Sequence, residues 1–242
     1  HSEAKIVLVD TQFIPVTLDA ITTMTTVAPM IVEVADEAAG FPATGDHVEY
    51  EDFIKMGDPN QPWHMPDDEW DAISLNYTSG TTGDPKGVMH NHTNIRNCME
   101  RASILGITFT DIHINYLPMF HIYALSEIMM ICALTGAKQI LMENFDAGKA
   151  LTLIEKEKVT LAHGFDTHWK DLLDAQRSLQ ADVSTLRLGT LPAGTEATIP
   201  VAELAQDVFC PTVSGFGMTE IWAFAALSFP TDTREQRIYA SG

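Results

Sequence analysis

An alternation of short β-branched runs with segments of helical period constrains the fold of this chain more than any other feature. Lys5–Val9 and Met30–Val34 read as strands, and Ala72–Tyr77 (AISLNY) as the next. Thr93–Gly106 then places Ile95, Cys98, Met99, Ala102 and Leu105 at three/four spacing, the mark of an amphipathic helix. Ile112–Leu117 is strand-like, Ile122–Leu134 helical and Gln139–Met142 strand-like. Asp146–Lys156 opens on a capping Asp and sets Ala147, Ala150, Leu151 and Ile154 on one face. Val159–Ala162, Thr185–Leu188 and Val208–Val213 read as strands, with helices at His168–Leu179 and Ile199–Gln206 between them. This β-α alternation predicts an α/β protein of layered, mainly parallel sheets flanked by helices on both faces. No internal repeat interrupts it.

The chain has 242 residues, enough for one large domain or two small packed subdomains. A division is expected near Leu134–Gln139 or near the loop described below. Ala43–Asp71, rich in Pro, Gly, Asp and Trp, reads as a connecting surface segment. No apolar run reaches the ~18 residues of a membrane span. The most apolar stretch, Ile122–Leu134, is broken by Ser126 and Glu127 and reads as a buried helix. His1–Asp10 lacks the basic-then-apolar pattern of a signal peptide. A leading His in place of Met suggests a chain cut from a longer one. The 33 Asp and Glu against 14 Lys and Arg give a net charge of −19, which argues against nucleic acid and anionic lipid as partners. Cys98, Cys132 and Cys210 are far apart and lack CxxC spacing, so they read as small buried hydrophobes of a reducing, cytoplasmic setting. The sequons at Asn76 and Asn91 are then chance matches.

Tyr77–Gly87 (YTSGTTGDPKG) lies between an expected strand and an expected helix. Its glycines permit close backbone approach, its hydroxyls at Thr78, Ser79, Thr81 and Thr82 offer donors, and Lys86 supplies a cation. A helix N-terminus after it would add a favourable dipole. By composition this is an anion-binding loop. It is not a Walker A loop, because Lys86 follows Pro85 and precedes Gly87 rather than Ser or Thr. Backbone N–H groups, one Lys and a divalent cation suffice against a distant negative field that salt screens beyond about 8–10 Å.

The string YTSGTTGDPKGV resembles the signature phosphate loop of the adenylate-forming superfamily, which includes acyl-CoA synthetases, luciferases and peptide-synthetase adenylation domains. Leu117–His121 (LPMFH) resembles its second motif, Gly189–Thr195 (GTLPAGT) a segment lying along the nucleotide, and Ser214–Glu220 (SGFGMTE) its adenine motif. Asp68–Ile73 and Phe145–Thr160 also read like acyl-CoA synthetases, so the likeness runs from about Tyr50 to Gly242. It implies the fold of the large domain of those enzymes and ATP or AMP, Mg²⁺ and CoA as small-molecule partners. It further implies these roles. Thr78, Ser79, Gly80, Thr81, Thr82, Gly83 and Lys86 would hold the β- and γ-phosphates. Ala193, Gly194, Thr195, Gly215, Gly217 and Met218 would lie along the nucleotide, and Phe216 would stack on adenine. Thr219 would contact the α-phosphate, Glu220 would ligate Mg²⁺, and His121 would line or gate the acyl site. Thr78, Lys86, His121, Thr219 and Glu220 are thus the candidate catalytic residues. The implied reaction joins a carboxylic acid to AMP with loss of pyrophosphate, then to CoA, and rests on positioning and charge neutralisation.

Asp166 stands in Gly164–His168 where relatives often carry proline, so the acyl wall is expected to differ. Apolar residues around His121 favour a fatty or other apolar acid, hence a place in fatty-acid metabolism. Aryl or amino acids, or a non-catalytic nucleotide-binding relative, are the alternatives. The ribose-binding Asp, the hinge and the small C-terminal domain of the superfamily have no counterpart up to Gly242, and the expectation is a central piece that adenylates weakly or not at all alone. His90, His92, His163 and His168 lack the completing ligands of a transition-metal site. No G-x-S-x-G supports a hydrolase triad.

Overall fold

The Ile/Val run Ile6–Asp10 forms β1 in a computed structural model that describes residues 2–78, 83–192 and 196–240. The chain divides into two compact units, His1–Pro66 and Asp67–Gly242. The division falls inside the Pro- and Asp-rich segment that the sequence marks as connecting.

In the first unit a single turn, Thr11–Phe13, leads from β1 into α1 (Ile14–Thr22), with Pro15 in the first turn, where no intrahelical donor is needed. β2 (Met30–Val34) and β3 (Val48–Glu49) complete a parallel sheet in the order β1-β2-β3, and α2 (Tyr50–Lys55) follows. β3 and α2 occupy part of the segment read as connecting. They escape a periodicity reading because β3 has two residues and α2 one and a half turns, started by the Glu49 carboxylate accepting from the Glu51 N–H. The core here is small, built on Val9, Ile14 and Ile31. A buried carboxylate ties it: Glu33 accepts from the Thr44 N–H at 2.7 Å, from the Thr44 hydroxyl at 2.9 Å and from the Thr11 hydroxyl at 3.0 Å. Burial alone would raise its pKa. The Thr44 and Thr11 hydrogen bonds to the ionised form prevail and lower it.

The second unit opens with β4 (Ala72–Thr78) and β5 (Lys86–Asn91), paired antiparallel from Ala72↔Asn91 to Thr78↔Lys86. The expected strand-loop-helix is therefore corrected. The segment after the loop is a strand, and α3 (Asn94–Ile104) starts only beyond it, so no helix N-terminus directly follows the loop. Then come β6 (Ile112–Asn115) and α4 (Ile122–Ala124), which runs through a π-helical stretch, Leu125–Met130, into α5 (Ile131–Thr135). Gly136 ends that helix at φ +77°, a conformation suited to glycine. The chain continues as β7 (Lys138–Leu141), α6 (Ala147–Glu157), β8 (Leu161–His163), α7 (Asp166–Leu179), β9 (Leu188–Thr190), α8 (Ile199–Val208) and β10 (Thr212–Val213). An antiparallel hairpin, β11 (Gly215–Met218) and β12 (Ala223–Leu227), and α9 (Arg234–Tyr239) close it.

Five of these strands form one parallel sheet in the order β10-β9-β8-β6-β7. The main core lies between this sheet and its helices, with Ile114, Ile128, Leu151, Ile154, Leu161, Trp169 and Leu188 fully buried. Trp169 packs so closely on β9 that a Cβ at Gly189 would lie 2.6 Å from its ring. Cys98, Cys132 and Cys210 are buried and unbonded to one another. Among the described residues no helix is long and apolar enough to cross a membrane.

Candidate functional site

The order of the parallel sheet reverses between β6 and β8. From β6 the chain steps outward to β7, then returns to β8 and proceeds the other way through β9 and β10. In open α/β sheets ligands bind outside the carboxyl ends of the strands at such a reversal. Four of the singled-out segments follow those ends. Leu117–His121 comes after β6, Gly164–His168 after β8, Leu191 onward after β9, and Ser214–Glu220 after β10. Because the strands are parallel, all four emerge on one edge of the sheet.

The β4–β5 hairpin reaches the same place through β5. Its residue His90 is buried and meets Trp222 edge to face, ring centroids 4.7 Å apart. β5 packs on the single turn Thr219–Ile221, which carries Thr219 and Glu220. Burial lowers the His90 pKa, with the Glu220 charge opposing. The two segments thus share one side of the unit. At the hairpin end, Thr78 pairs with Lys86 in register, and Lys86 is exposed. Neither the Lys86 ammonium nor the Glu220 carboxylate has a hydrogen-bond or ion-pair partner among the described residues, although the Lys86 carbonyl accepts from the Thr78 hydroxyl. An exposed, unpaired carboxylate is a fitting oxygen donor for a hard divalent cation. Gly83 is exposed beside the loop. Ser79, Gly80, Thr81 and Thr82, and likewise Ala193, Gly194 and Thr195, lie outside the described residues.

β11 explains its own glycines. A Cβ on Gly217 would lie 1.9 Å from the Ala223 carbonyl oxygen, and one on Gly215 2.7 Å from the Phe224 ring. Both are required by the close approach of β12, where the register shifts between Phe216 and Gly217. The bulge leaves Phe216 55 % exposed and Met218 42 % exposed, so their side chains are presented rather than packed.

The other wall is aromatic. His121 caps α4, its Nδ1 accepting the Tyr123 N–H at 3.2 Å. That bond fixes a neutral imidazole with its proton on Nε2, and burial lowers its pKa in agreement. The Phe165 ring lies 6.1 Å from His121 and 5.3 Å from Tyr123, and Phe224 lies 5.5 Å from Tyr123. Asp166, the departure noted above, begins α7, and His168 accepts the Phe165 N–H at 3.3 Å while stacking on Tyr116. Beneath this wall a polar chain crosses the sheet. His113 Nδ1 meets His163 Nε2 at 2.9 Å, His163 Nδ1 meets the Thr190 hydroxyl at 2.8 Å, and that hydroxyl meets the Tyr123 OH. Donating His113 Nδ1–H and His163 Nδ1–H toward Thr190 leaves only an acceptor, His113 Nε2, without a partner in the structure. The reverse direction would bury a bare N–H, so the first is favoured. Phe165 and Thr190 fall inside segments that the sequence singles out, whereas Tyr123, Phe224, His113 and His163 lie outside the quoted motifs.

A family model described as AMP-binding enzyme matches residues 1–242. The chain belongs to that family. Among its curated relatives are a probable acyl-activating enzyme 6 of Arabidopsis thaliana, 32% identical over 230 residues, and a 3-methylmercaptopropionyl-CoA ligase of Ruegeria pomeroyi, 32% identical over 233 residues. Each alignment covers 91% of this chain, but only 40% and 41% of the relatives. The chain thus spans about two fifths of the length of those proteins. Its fold is similar to the solved anthranilate CoA ligase AuaEII in complex with anthranoyl-AMP, with a TM-score of 0.84 and 21% identity over 99% of this chain and 45% of that one.

Proposed function

We propose that this chain carries the nucleotide- and acid-binding face of an AMP-forming carboxylate–CoA ligase, acting on an apolar carboxylic acid. The observation that supports this best is the His90–Trp222 contact, which sets the phosphate-loop hairpin against the Thr219–Glu220 turn. In this reading Lys86, Thr78 and Gly83, with Ser79, Gly80, Thr81 and Thr82, hold the β- and γ-phosphates. Phe216 offers its exposed ring to adenine, with Gly215, Gly217, Met218, Ala193, Gly194 and Thr195 along the nucleotide. Thr219 addresses the α-phosphate, and Glu220 holds Mg²⁺, which neutralises phosphate charge when bound.

The acid's carboxylate oxygen attacks the α-phosphorus, and the bond to the bridging oxygen of the β-phosphate breaks, releasing pyrophosphate. The CoA sulfur then attacks the acyl carbonyl and AMP leaves. The chain's own contribution is placement. Lys86 stabilises charge on the departing pyrophosphate, and the neutral His121 offers an Nε2–H donor beside the acid. The rings of Tyr123, Phe165 and Phe224 present carbon rather than charge to the acyl group, which supports an apolar acid over an amino acid. The relative named for a 3-methylmercaptopropionyl thioester agrees with a modest apolar acyl group. The same rings also favour a flat aryl acid as the second reading, as in the anthranilate ligase.

A thermal-shift panel of ATP, AMP and non-hydrolysable acyl-AMP analogues with Mg²⁺ tests the proposal, since a ligand of the native state raises its stability. An alkyl acyl-AMP analogue should stabilise more than free AMP, and an aminoacyl analogue should not. No shift with any nucleotide would refute the reading. An aryl analogue outranking the alkyl one would select the second.

A further inference from the structure

Two residues after Glu220 the backbone enters a costly conformation. Trp222 and Ala223 take φ of +57° and +76°, two consecutive non-glycine residues in the left-handed region. Such a conformation is strained for a side chain with a Cβ and persists only where its surroundings over-determine it. Those surroundings are polar and buried. The Trp222 indole N–H donates to Cys98 Sγ at 3.2 Å, and the Ser126 hydroxyl lies 3.4 Å from the Trp222 carbonyl oxygen. Arg101 organises both contacts, donating to Ser126 Oγ at 2.6 Å and to Cys98 Sγ at 3.4 Å, while its Nε pairs with Glu127 at 2.7 Å. Arg101, Ser126, Glu127 and Trp222 are all nearly inaccessible. Ser126 and Glu127 come from the π-helical stretch, whose widened turn lets two consecutive polar side chains face α3.

An ion pair in such a place is poor evidence of stability, because desolvating both charges offsets their attraction. Its geometry nevertheless fixes one thing, the strained residue pair between the Glu220 turn and β12, and through Trp222 the His90 ring of β5. We propose that Arg101 is a positioning residue for the site. Clamped by Glu127, it holds Trp222 so that the Glu220 carboxylate and the Lys86 hairpin stay in fixed relation. This rests on the reading of Glu220 as cation ligand and Lys86 as phosphate ligand. It touches neither substrate nor metal.

The test compares the 242-residue chain with the double variant Arg101→Met/Glu127→Met, which removes both charges and strands neither. Amide hydrogen exchange by NMR is read at Trp222, Ala223 and His90 and, as a control, at β8. Mg·ATP affinity is measured by calorimetry. The expected result is exchange faster by about tenfold or more around Trp222 and His90 with β8 unchanged, and Mg·ATP affinity lowered by about tenfold. Unaltered exchange at those residues in the folded variant would overturn the proposal. Should the double variant fail to fold, Ser126→Ala, which cuts only the tie to the Trp222 carbonyl, is read in the same way. Should the unmodified chain bind no Mg·ATP, the functional reading fails, and the exchange data alone decide whether Arg101 holds the turn.

Discussion

The buried pair His113–His163 makes acid stability a quantitative test of the core beneath the site. His113 sits on β6 with no accessible surface, and its pKa is pushed down to about 4, first by burial and further by Arg187, with Asp111 opposing. Burial and His113 itself lower His163 as well. An unfolded histidine titrates near 6.5. Between these values the unfolded chain binds a proton that the folded chain refuses, so stability falls as pH falls. The full effect of a shift from 6.5 to about 4 is about 3 kcal/mol, of which about 2 kcal/mol is lost between pH 7 and pH 5. His113→Asn removes the titration but keeps an amide where Nδ1 meets His163. Urea unfolding of both proteins from pH 7.5 to 5, at equal m-values, isolates the term as a difference. This matters because Glu127, raised to about 7 by burial against the pull of Arg101 and Ser126, contributes the opposite slope in both proteins. Stability of the unmodified chain should drop relative to the variant by about 2 kcal/mol across that range. Parallel curves would refute the argument and mean that His113 takes up its proton in the fold as readily as in the unfolded chain.

Three further substitutions separate binding from folding. Lys86→Met, at an exposed side chain with no carboxylate partner among the described residues, should change stability by less than about 0.5 kcal/mol. It should weaken Mg·ATP by about 10- to 100-fold in titration calorimetry. Gly217→Ala puts a Cβ 1.9 Å from the Ala223 oxygen and should destabilise by about 2–4 kcal/mol, seen as a lower urea midpoint whether or not nucleotide is present. Glu33→Gln removes a charged acceptor from two Thr44 bonds and one Thr11 bond. It should cost about 1–3 kcal/mol and speed exchange of the Thr44 amide, leaving the second unit untouched.

The parallel sheet was legible because its central strands are buried and carry β-branched residues in or just before them, as in Ile112–Asn115 and in Val159 and Thr160 ahead of β8. Boundaries were less so. The run Thr185–Leu188 looks extended, yet β9 starts only at Leu188, because Arg187 is drawn aside to pair with Asp111 and cap the carbonyls of Leu105 and Gly106. β5 escaped notice since KGVMHN alternates around one half-buried Val and one buried His, and its partner β4 is half exposed. The motif residues proposed for the site were named from their resemblance and order in the sequence. The elements that hold them could not. Arg101, Glu127 and Trp222 lie on three separate segments that meet only through a π-helical stretch and two left-handed residues, neither of which has a periodic signature. The His113–His163–Thr190 chain depends on strand register, which pairs His163 with Thr190 and His113 with Leu161.

The acidity of the chain also acquires a physical account. With 33 acidic residues against 14 basic ones, a diffuse negative field surrounds the molecule. The described cations are mostly spent on it: Arg187 on Asp111, Arg234 on Asp207, Lys138 on Glu157, Arg101 on the buried Glu127. Lys86 stands at the hairpin end, beside a sequence whose three glycines and four hydroxyls would on the proposed reading supply donors without charge. On the proposed reading a polyphosphate there would meet neutral N–H and O–H groups and one cation at contact distance, while carboxylates farther away than about 8–10 Å would be screened by salt. Contact interactions of the first kind are weakened little by salt, and the repulsion of the second kind is screened by it. On the proposed reading an anion site needs no basic surface, and the two carboxylates near it, Asp84 of the loop and Glu220, are ones whose repulsion a divalent cation would offset.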